Sequence, residues 1–192
     1  MFFFKGMVSL GMRKLGMDEL QRLSVNEFRR SEKMPVVVVL DNIRSMHNVG
    51  SVFRTADAFL VRDIYICGYT PQPPHRDIHK TALGATETVE WKYFSTTEEA
   101  IRSLKEEGMP VYAVEQTEGS VPLQQFVTGG PAAVVFGNEV SGVGEGVLAL
   151  CDGSIEIPQW GMKHSLNISI AAGIVLWEMA RRRFVTDMKK EI

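Results

Sequence analysis

Three short stretches hold the residues whose types could do chemistry in this chain. DNIRSMHNVGSVFRTADAF (41–59) carries Asn42, Arg44, His47, Asn48 and Arg54. VVFGNEVSGVGEGVL (134–148) carries Glu139 among glycines, and IEIPQWGMKHSLNISIAAG (155–173) carries His164, Ser165 and Asn167. A fixed arginine cation, a carboxylate and amide side chains can orient a polar substrate and stabilise charge that develops on it. No ready nucleophile stands among them. His164 and Ser165 are neighbours in sequence, which does not make a triad. There is no GxSxG elbow and no GxxxxGK[ST] phosphate loop. Cys67 and Cys151 have no close partner spacing, so both are expected reduced and half-buried. Without a CxxC or HxxxH pair, no zinc site is expected.

Each of these residues also has a plain structural reading. Asn48 stands where a helix N-cap belongs, ahead of Val49, Val52, Phe53, Ala56, Phe59 and Leu60 at helical spacing. On a wheel that stripe centres near Val49 and Ala56, and Arg54 falls on nearly the opposite side, as a solvated arginine would. Glu139 reads equally as a solvated loop acid, and Ser165 or Asn167 as the cap of an apolar helix. Gly137 closes a strand and lets a ligand approach the backbone. Glycines 142, 144 and 146 form GxGxG, which invites a dinucleotide. The fingerprint needs its first glycine at the strand end, whereas here the GxG comes five residues after Gly137 and Val147 replaces the last glycine. A nucleotide-binding oxidoreductase is therefore kept as an alternative.

These loops need a scaffold, and the pattern supplies one. PVVVVL (35–40) is a continuous apolar run, as in a parallel strand buried on both faces. Further strands are expected at 63–67, 88–94, 110–115, 132–136 and 154–157. Helices are expected from Asn48, over 96–108 with Thr96 or Thr97 as cap, near 145–150, and over about 165–183. Residues 68–85 read as a long loop rich in Pro, His and basic residues. Alternation of this kind means an α/β fold, a mostly parallel sheet flanked by helices. Ligands in such sheets bind at the carboxyl ends of strands, where all three stretches begin.

The 192 residues suit one domain, 35–192, behind an extension of residues 1–34. In that extension, residues 17–32 read as a polar helix with Leu20, Leu23 and Phe28 as anchors and a basic cast. With 45% hydrophobic and 23% charged residues, the chain can build a core. A net charge of −2 gives no global basic field, so nucleic acid would have to meet a local patch. The opening lacks a signal-peptide pattern and no stretch reaches transmembrane length, so a cytoplasmic protein is expected. Residues 1–11 match poorly with the rest of the chain, and Met12 reads as the natural beginning.

Together the three stretches resemble the three motifs of the SpoU (TrmH-type) RNA methyltransferases of the SPOUT superfamily. The first fits Asn-x5-Arg-x-x-[Ala/Asp], and FGNEVSGV fits Gly-x-Glu-x-x-Gly. IPQWGMKHSLNIS fits Ile-Pro-x-x-Gly-x-x-x-Ser-Leu-Asn-[Val/Ile]-Ser, with Gln159 where the family usually has Met. The likeness is ordered and covers about residues 35–183. It implies an S-adenosylmethionine-dependent ribose 2'-O-methyltransferase, a homodimer, and a deep C-terminal trefoil knot. By it Arg54 is catalytic, either as a general base or as the cation that binds phosphate and stabilises the 2'-oxyanion. Asn48, Glu139, Ser165 and Asn167 are the matching polar positions and would hold Arg54 and the ribose. Cofactor contacts fall on Val114, Gly137, Ile157, Ser165 and Leu166, and no metal is called for. The RNA expected is tRNA, with ribosomal RNA second, because no large N-terminal substrate domain is present. Residues 167–176, rich in small side chains, suit a dimer face or close packing within the chain.

Overall fold

The computed structural model describes residues 12–16, 19–20 and 23–188. Residues 1–11, with their expected late start, lie outside these, as do parts of the expected helix 17–32. In its described part that helix shortens to α1 (Val25–Arg30). Ser24 and Glu27 form a capping box that fixes its start, so nothing before Ser24 is needed to begin it. Only Phe28 is buried; Leu20 and Leu23 are exposed and anchor nothing.

The body is one sheet. β1 (Met34–Asp41), β2 (Val61–Cys67), β3 (Glu90–Phe94), β4 (Val111–Val114), β5 (Val121–Pro122), β6 (Ala132–Phe136) and β7 (Gly153–Glu156) are ordered β3-β2-β1-β6-β4-β7-β5. Every pairing is parallel. β1 lies inside the sheet, between β2 and β6, because Val36–Leu40 can be buried on both faces, and all of it is. The helices are α2 (Met46–Ala58), α3 (Arg76–Ala82), α4 (Thr97–Glu106), α5 (Glu145–Leu148) and α6 (Ile168–Met188). Thr96 caps α4. One face of the sheet packs against α2, α3 and α6 through Val49, Val52, Phe53, Ile78, Ala172 and Leu176. The other packs against α4, α5 and the loop before α5 through Ile101, Leu104, Val147 and Val143.

Two further elements differ from the sequence expectation. β5 is a two-residue strand with no apolar run to announce it. The loop expected at 68–85 contains α3, capped by His75, whose Nδ1 accepts from the Asp77 N–H at 3.1 Å. Only Ile78 and Ala82 of α3 are buried, too few to show a helical period.

The topology selects a place for a site. β1 and β6 are neighbours in the sheet, yet one leads to the α2 loop and the other to the Gly137–Val143 loop. Their carboxyl ends form a topological switch point, where open α/β sheets bind ligands.

Candidate active site

At that switch point the three stretches converge. Ser45, rather than the expected Asn48, is the N-cap of α2, and its hydroxyl accepts from the Asn48 N–H at 3.3 Å. Capping by Ser45 frees the Asn48 side chain. Glu139, from the loop after β6, closes onto the same helix start. Its carboxylate accepts from the Arg44 N–H at 2.9 Å, the Ser45 N–H at 3.1 Å and Asn48 Nδ2 at 3.0 Å. A carboxylate there satisfies unpaired amides and sits at the positive end of the helix dipole. Asn48 Oδ1 in turn accepts from Asn167 Nδ2 at 3.1 Å. Asn167 caps α6, its Oδ1 accepting from the Ser169 N–H at 2.9 Å. One polar chain thus ties Glu139 to Asn48 and Asn167, one residue from each stretch.

Burial pushes the Glu139 carboxyl up, but the hydrogen bonds from Arg44, Asn48 and Ser45 win and hold it below the usual carboxylate range. An ionised acid with its lone pairs engaged is a poor proton acceptor. This arrangement suits Glu139 to positioning rather than to proton transfer. The thiols offer no nucleophile either: burial pushes Cys67 up to about 12 and Cys151 up to about 11.

The Gly137–Val143 loop is a tight return. Asn138 and Gly142 exchange backbone hydrogen bonds at 3.0 and 2.9 Å. A Cβ on Gly137 would stand 2.3 Å from backbone atoms of Gly142 and Val143, so only glycine permits this approach. Asn138 Nδ2 donates to the Asn42 carbonyl at 2.8 Å and to Tyr69 Oη at 2.9 Å, locking the loop to the β1 and β2 ends. The paired backbone and the four-residue α5 after it leave no phosphate cradle of the GxGxxG kind.

Beside the polar chain lies a cavity of about 390 Å³. Val114, Gly137, Ile157, Ser165 and Leu166, the expected cofactor contacts, all line it, together with Glu139. Sequence reasoning missed Glu115 and Gln116 and assigned no cofactor contact to Asn138 or His164, and all four line it too. Their one signal was position, since Glu115 and Gln116 come directly after β4. Gln116 Nε2 donates to the His164 carbonyl at 2.8 Å and holds the segment before α6 against the β4 end. The lining contains carboxylates at Glu115, Glu139 and Glu156 and neither lysine nor arginine. Such a wall disfavours the pyrophosphate of a dinucleotide and fits a ligand that carries positive charge.

Arg54 stands apart. It is exposed and makes no hydrogen bond or ion pair among the described residues. It lies six residues beyond Asn48, about 9 Å along the helix axis. The wheel placed it nearly opposite the buried stripe, but Gly50 is buried as well, under α3. Arg54, one turn beyond Gly50, is nevertheless exposed, as the wheel expects.

Comparison with known proteins agrees with this construction. The model of the SpoU rRNA Methylase family matches residues 35–177. This chain belongs to the SpoU methylase family. A tRNA (guanosine(18)-2'-O)-methyltransferase of Thermus thermophilus is 36% identical over 165 residues, 86% of this chain and 84% of that protein. A 23S rRNA (guanosine-2'-O-)-methyltransferase RlmB of Vibrio parahaemolyticus is 31% identical over 86% of this chain and 66% of that protein. Among solved structures, the A. aeolicus TrmH/SpoU tRNA modifying enzyme superposes with a TM-score of 0.77 at 27% identity, covering 85% of this chain and 83% of that one. An AdoMet-bound rRNA methyltransferase from Sinorhizobium meliloti gives 0.72 at 29% identity, covering 81% and 62%. Asn48, Glu139 and Asn167, which the polar chain joins, all lie inside the matched residues.

Proposed function

We propose that this protein is an S-adenosylmethionine-dependent methyltransferase acting on a ribose 2'-OH of tRNA. The observation that carries this is the Glu139–Asn48–Asn167 chain beside a cavity walled by carboxylates. S-adenosylmethionine presents a sulfonium and an ammonium, which suit those carboxylates. Val114, Gly137, Ile157, Ser165 and Leu166 would hold it, largely through backbone groups. When bound, it supplies a methyl group already activated for displacement.

The protein's own task is then to align, to exclude water and to stabilise charge. The ribose oxygen must form its bond to the methyl carbon as the carbon–sulfur bond breaks, and its proton must leave. Glu139 holds the α2 start, Asn48 and Asn167 stay fixed by it, and their amides with the Ser165 hydroxyl bind the ribose. Arg54, a permanent cation, suits the phosphate beside the ribose and the developing 2'-oxyanion better than the role of base. The proton passes to water or to a phosphate oxygen.

A paired assembly belongs to the same proposal. α6 buries Ala172, Val175 and Leu176 but exposes Ile170, Ile174 and Trp177, and Trp160 and Met162 beside it are also exposed. That apolar face suits a second copy of the chain. Pairing would let Arg54 of one protomer serve the cavity of its partner, which its distance from Asn48 favours. Threading of the segment before α6 as a trefoil knot, residues 1–34 as an appendage, and a cytoplasmic setting are proposed with it. Among the described residues no helix is long and apolar enough to cross a membrane.

Substrate choice rests on similarity. The Thermus tRNA enzyme is 36% identical to this chain and the Vibrio rRNA enzyme 31%. Calorimetry tests the ligand class: S-adenosylhomocysteine is expected to bind at micromolar concentration and NAD not at all. The reverse result would restore the oxidoreductase alternative.

A further inference from the structure

On the far side of the Gly137–Val143 loop an aromatic ring is held out to solvent. Tyr69 lies just past the β2 end, and 64% of its surface is exposed. Singly exposed apolar residues are common. This one is fixed at both ends. Its hydroxyl accepts from Asn138 Nδ2 at 2.9 Å, and its backbone N–H donates to Asn42 Oδ1 at 3.2 Å. Asn42 holds a left-handed backbone, φ 55°, to make that contact. The next residue, Thr70, is buried and locked to the Leu40 carbonyl at 3.1 Å and the Ile43 N–H at 2.9 Å. The ring therefore cannot fold back onto the protein, and its position is set by the loop that carries Glu139.

Two free cations lie on the segments that hold it. Arg44 lies two residues beyond Asn42, and only its backbone N–H is engaged, by Glu139. Arg76 opens α3 at the end of the loop that Tyr69 begins. Both side chains are exposed, and neither has a hydrogen-bond or ion-pair partner among the described residues. α3 is itself clamped to α2: Thr81 Oγ1 donates to the His47 carbonyl at 3.0 Å, and a Cβ on Gly50 would meet Ile78 O at 2.3 Å. A fixed, exposed ring, with free arginines on the segment it is tied to and at the end of its own loop, on a chain with a net charge of −2, is suited to a single-stranded polyanion with flat bases.

We propose that Tyr69 is a stacking platform for an unpaired RNA base next to the target nucleotide, with Arg44 and Arg76 taking flanking phosphates. The proposal rests on the RNA methyltransferase reading and adds to it the residues that select an unstacked strand. Stacking needs the ring and not the hydroxyl. It is insensitive to salt, whereas each phosphate contact adds to the salt slope.

The test measures binding of an unmodified tRNA transcript across a salt series, methyl transfer to it, and S-adenosylhomocysteine binding, for wild type, Tyr69→Ala, Tyr69→Phe and Arg76→Ala. Tyr69→Ala is expected to weaken tRNA binding about tenfold or more, with an unchanged salt slope and unchanged S-adenosylhomocysteine affinity. Tyr69→Phe should stay within about threefold of wild type. Arg76→Ala should reduce the slope of log K against log salt by about 0.7. If Tyr69→Ala binds and methylates tRNA as wild type does, the proposal is wrong. If Tyr69→Phe falls as far as Tyr69→Ala, the residue only anchors Asn138 and stacking is again wrong. A wild type that binds S-adenosylhomocysteine but neither binds nor methylates tRNA overturns the tRNA reading itself, and this proposal with it.

Discussion

Asn48 Oδ1 accepts a hydrogen bond from Asn167 Nδ2 at 3.1 Å, joining the first turn of α2 to the cap of α6 across 119 positions of sequence. The same Asn48 donates to Glu139 at 3.0 Å, so its amide is satisfied at both ends. Asn48→Ala breaks the chain in the middle and is expected to lower methyl transfer by about tenfold or more while leaving the helix cap at Ser45 intact. Asn48→Asp should be worse, because it sets a second carboxylate against Glu139. Steady-state transfer rates with melting temperatures check both; equal activity of Asn48→Asp and wild type would show that the amide is not used.

Glu139 ties acid stability to this junction. Its carboxyl titrates below its ordinary 4.5 in the folded protein, because hydrogen bonds from Arg44, Asn48 and Ser45 outweigh burial. A lowered folded value means that the stabilisation is full above the unfolded value and is lost as pH falls through the folded one. Glu178, held down to about 2 by Arg181 and Arg182, acts in the same direction over a wider window. Glu139→Gln is expected to cost about 1 kcal/mol at neutral pH and to flatten the stability profile below about pH 4.5. Denaturant unfolding at pH 7 and pH 4 measures it.

Gly137→Ala should be among the most damaging single-atom additions. The new Cβ meets backbone of Gly142 and Val143 at 2.3 Å, and backbone cannot swing aside as a side chain can. A loss of about 2–3 kcal/mol is expected, with weakened S-adenosylhomocysteine binding, since the displaced loop walls the cavity. Gly146→Ala, whose Cβ would come no nearer than 3.5 Å to Glu98 Oε1, is the control and should be mild.

The exposed face of α6 gives the assembly test. Ile174 is partly exposed and flanked by Ile170 and Trp177. Ile174→Glu places a charge at the centre of the proposed contact and should convert a dimer to a monomer in sedimentation, with folding retained. A wild type that sediments as a monomer would contradict the paired assembly.

The scaffold was largely legible because its signals are local. The run Val36–Leu40 announces a doubly buried strand, and Thr96 with Gly108 brackets α4. What escaped depends on contacts far along the chain. α3 buries two residues, and β5 has two residues in all, so neither carries a period. The start of α2 was misread because Asn48 is a good cap by type, yet Ser45 is one too, and only Glu139 arriving from 91 positions away decides which side chain is free. The burial of Gly50 under α3 likewise depends on a distant contact, whereas the exposure of Arg54 was legible on the wheel. The cavity lining was found where motif and strand end coincide. It was missed at Glu115 and Gln116, which no motif marks.

The central claim is tested most directly by transfer of labelled methyl from S-adenosylmethionine to unmodified tRNA, with nuclease digestion and nucleoside analysis of the product. The wild-type chain should produce a 2'-O-methylated nucleoside. Arg54→Ala should lower the rate by about a hundredfold or more while S-adenosylhomocysteine affinity stays unchanged. Label on a base instead of a ribose, or an Arg54→Ala protein as active as wild type, would contradict the account.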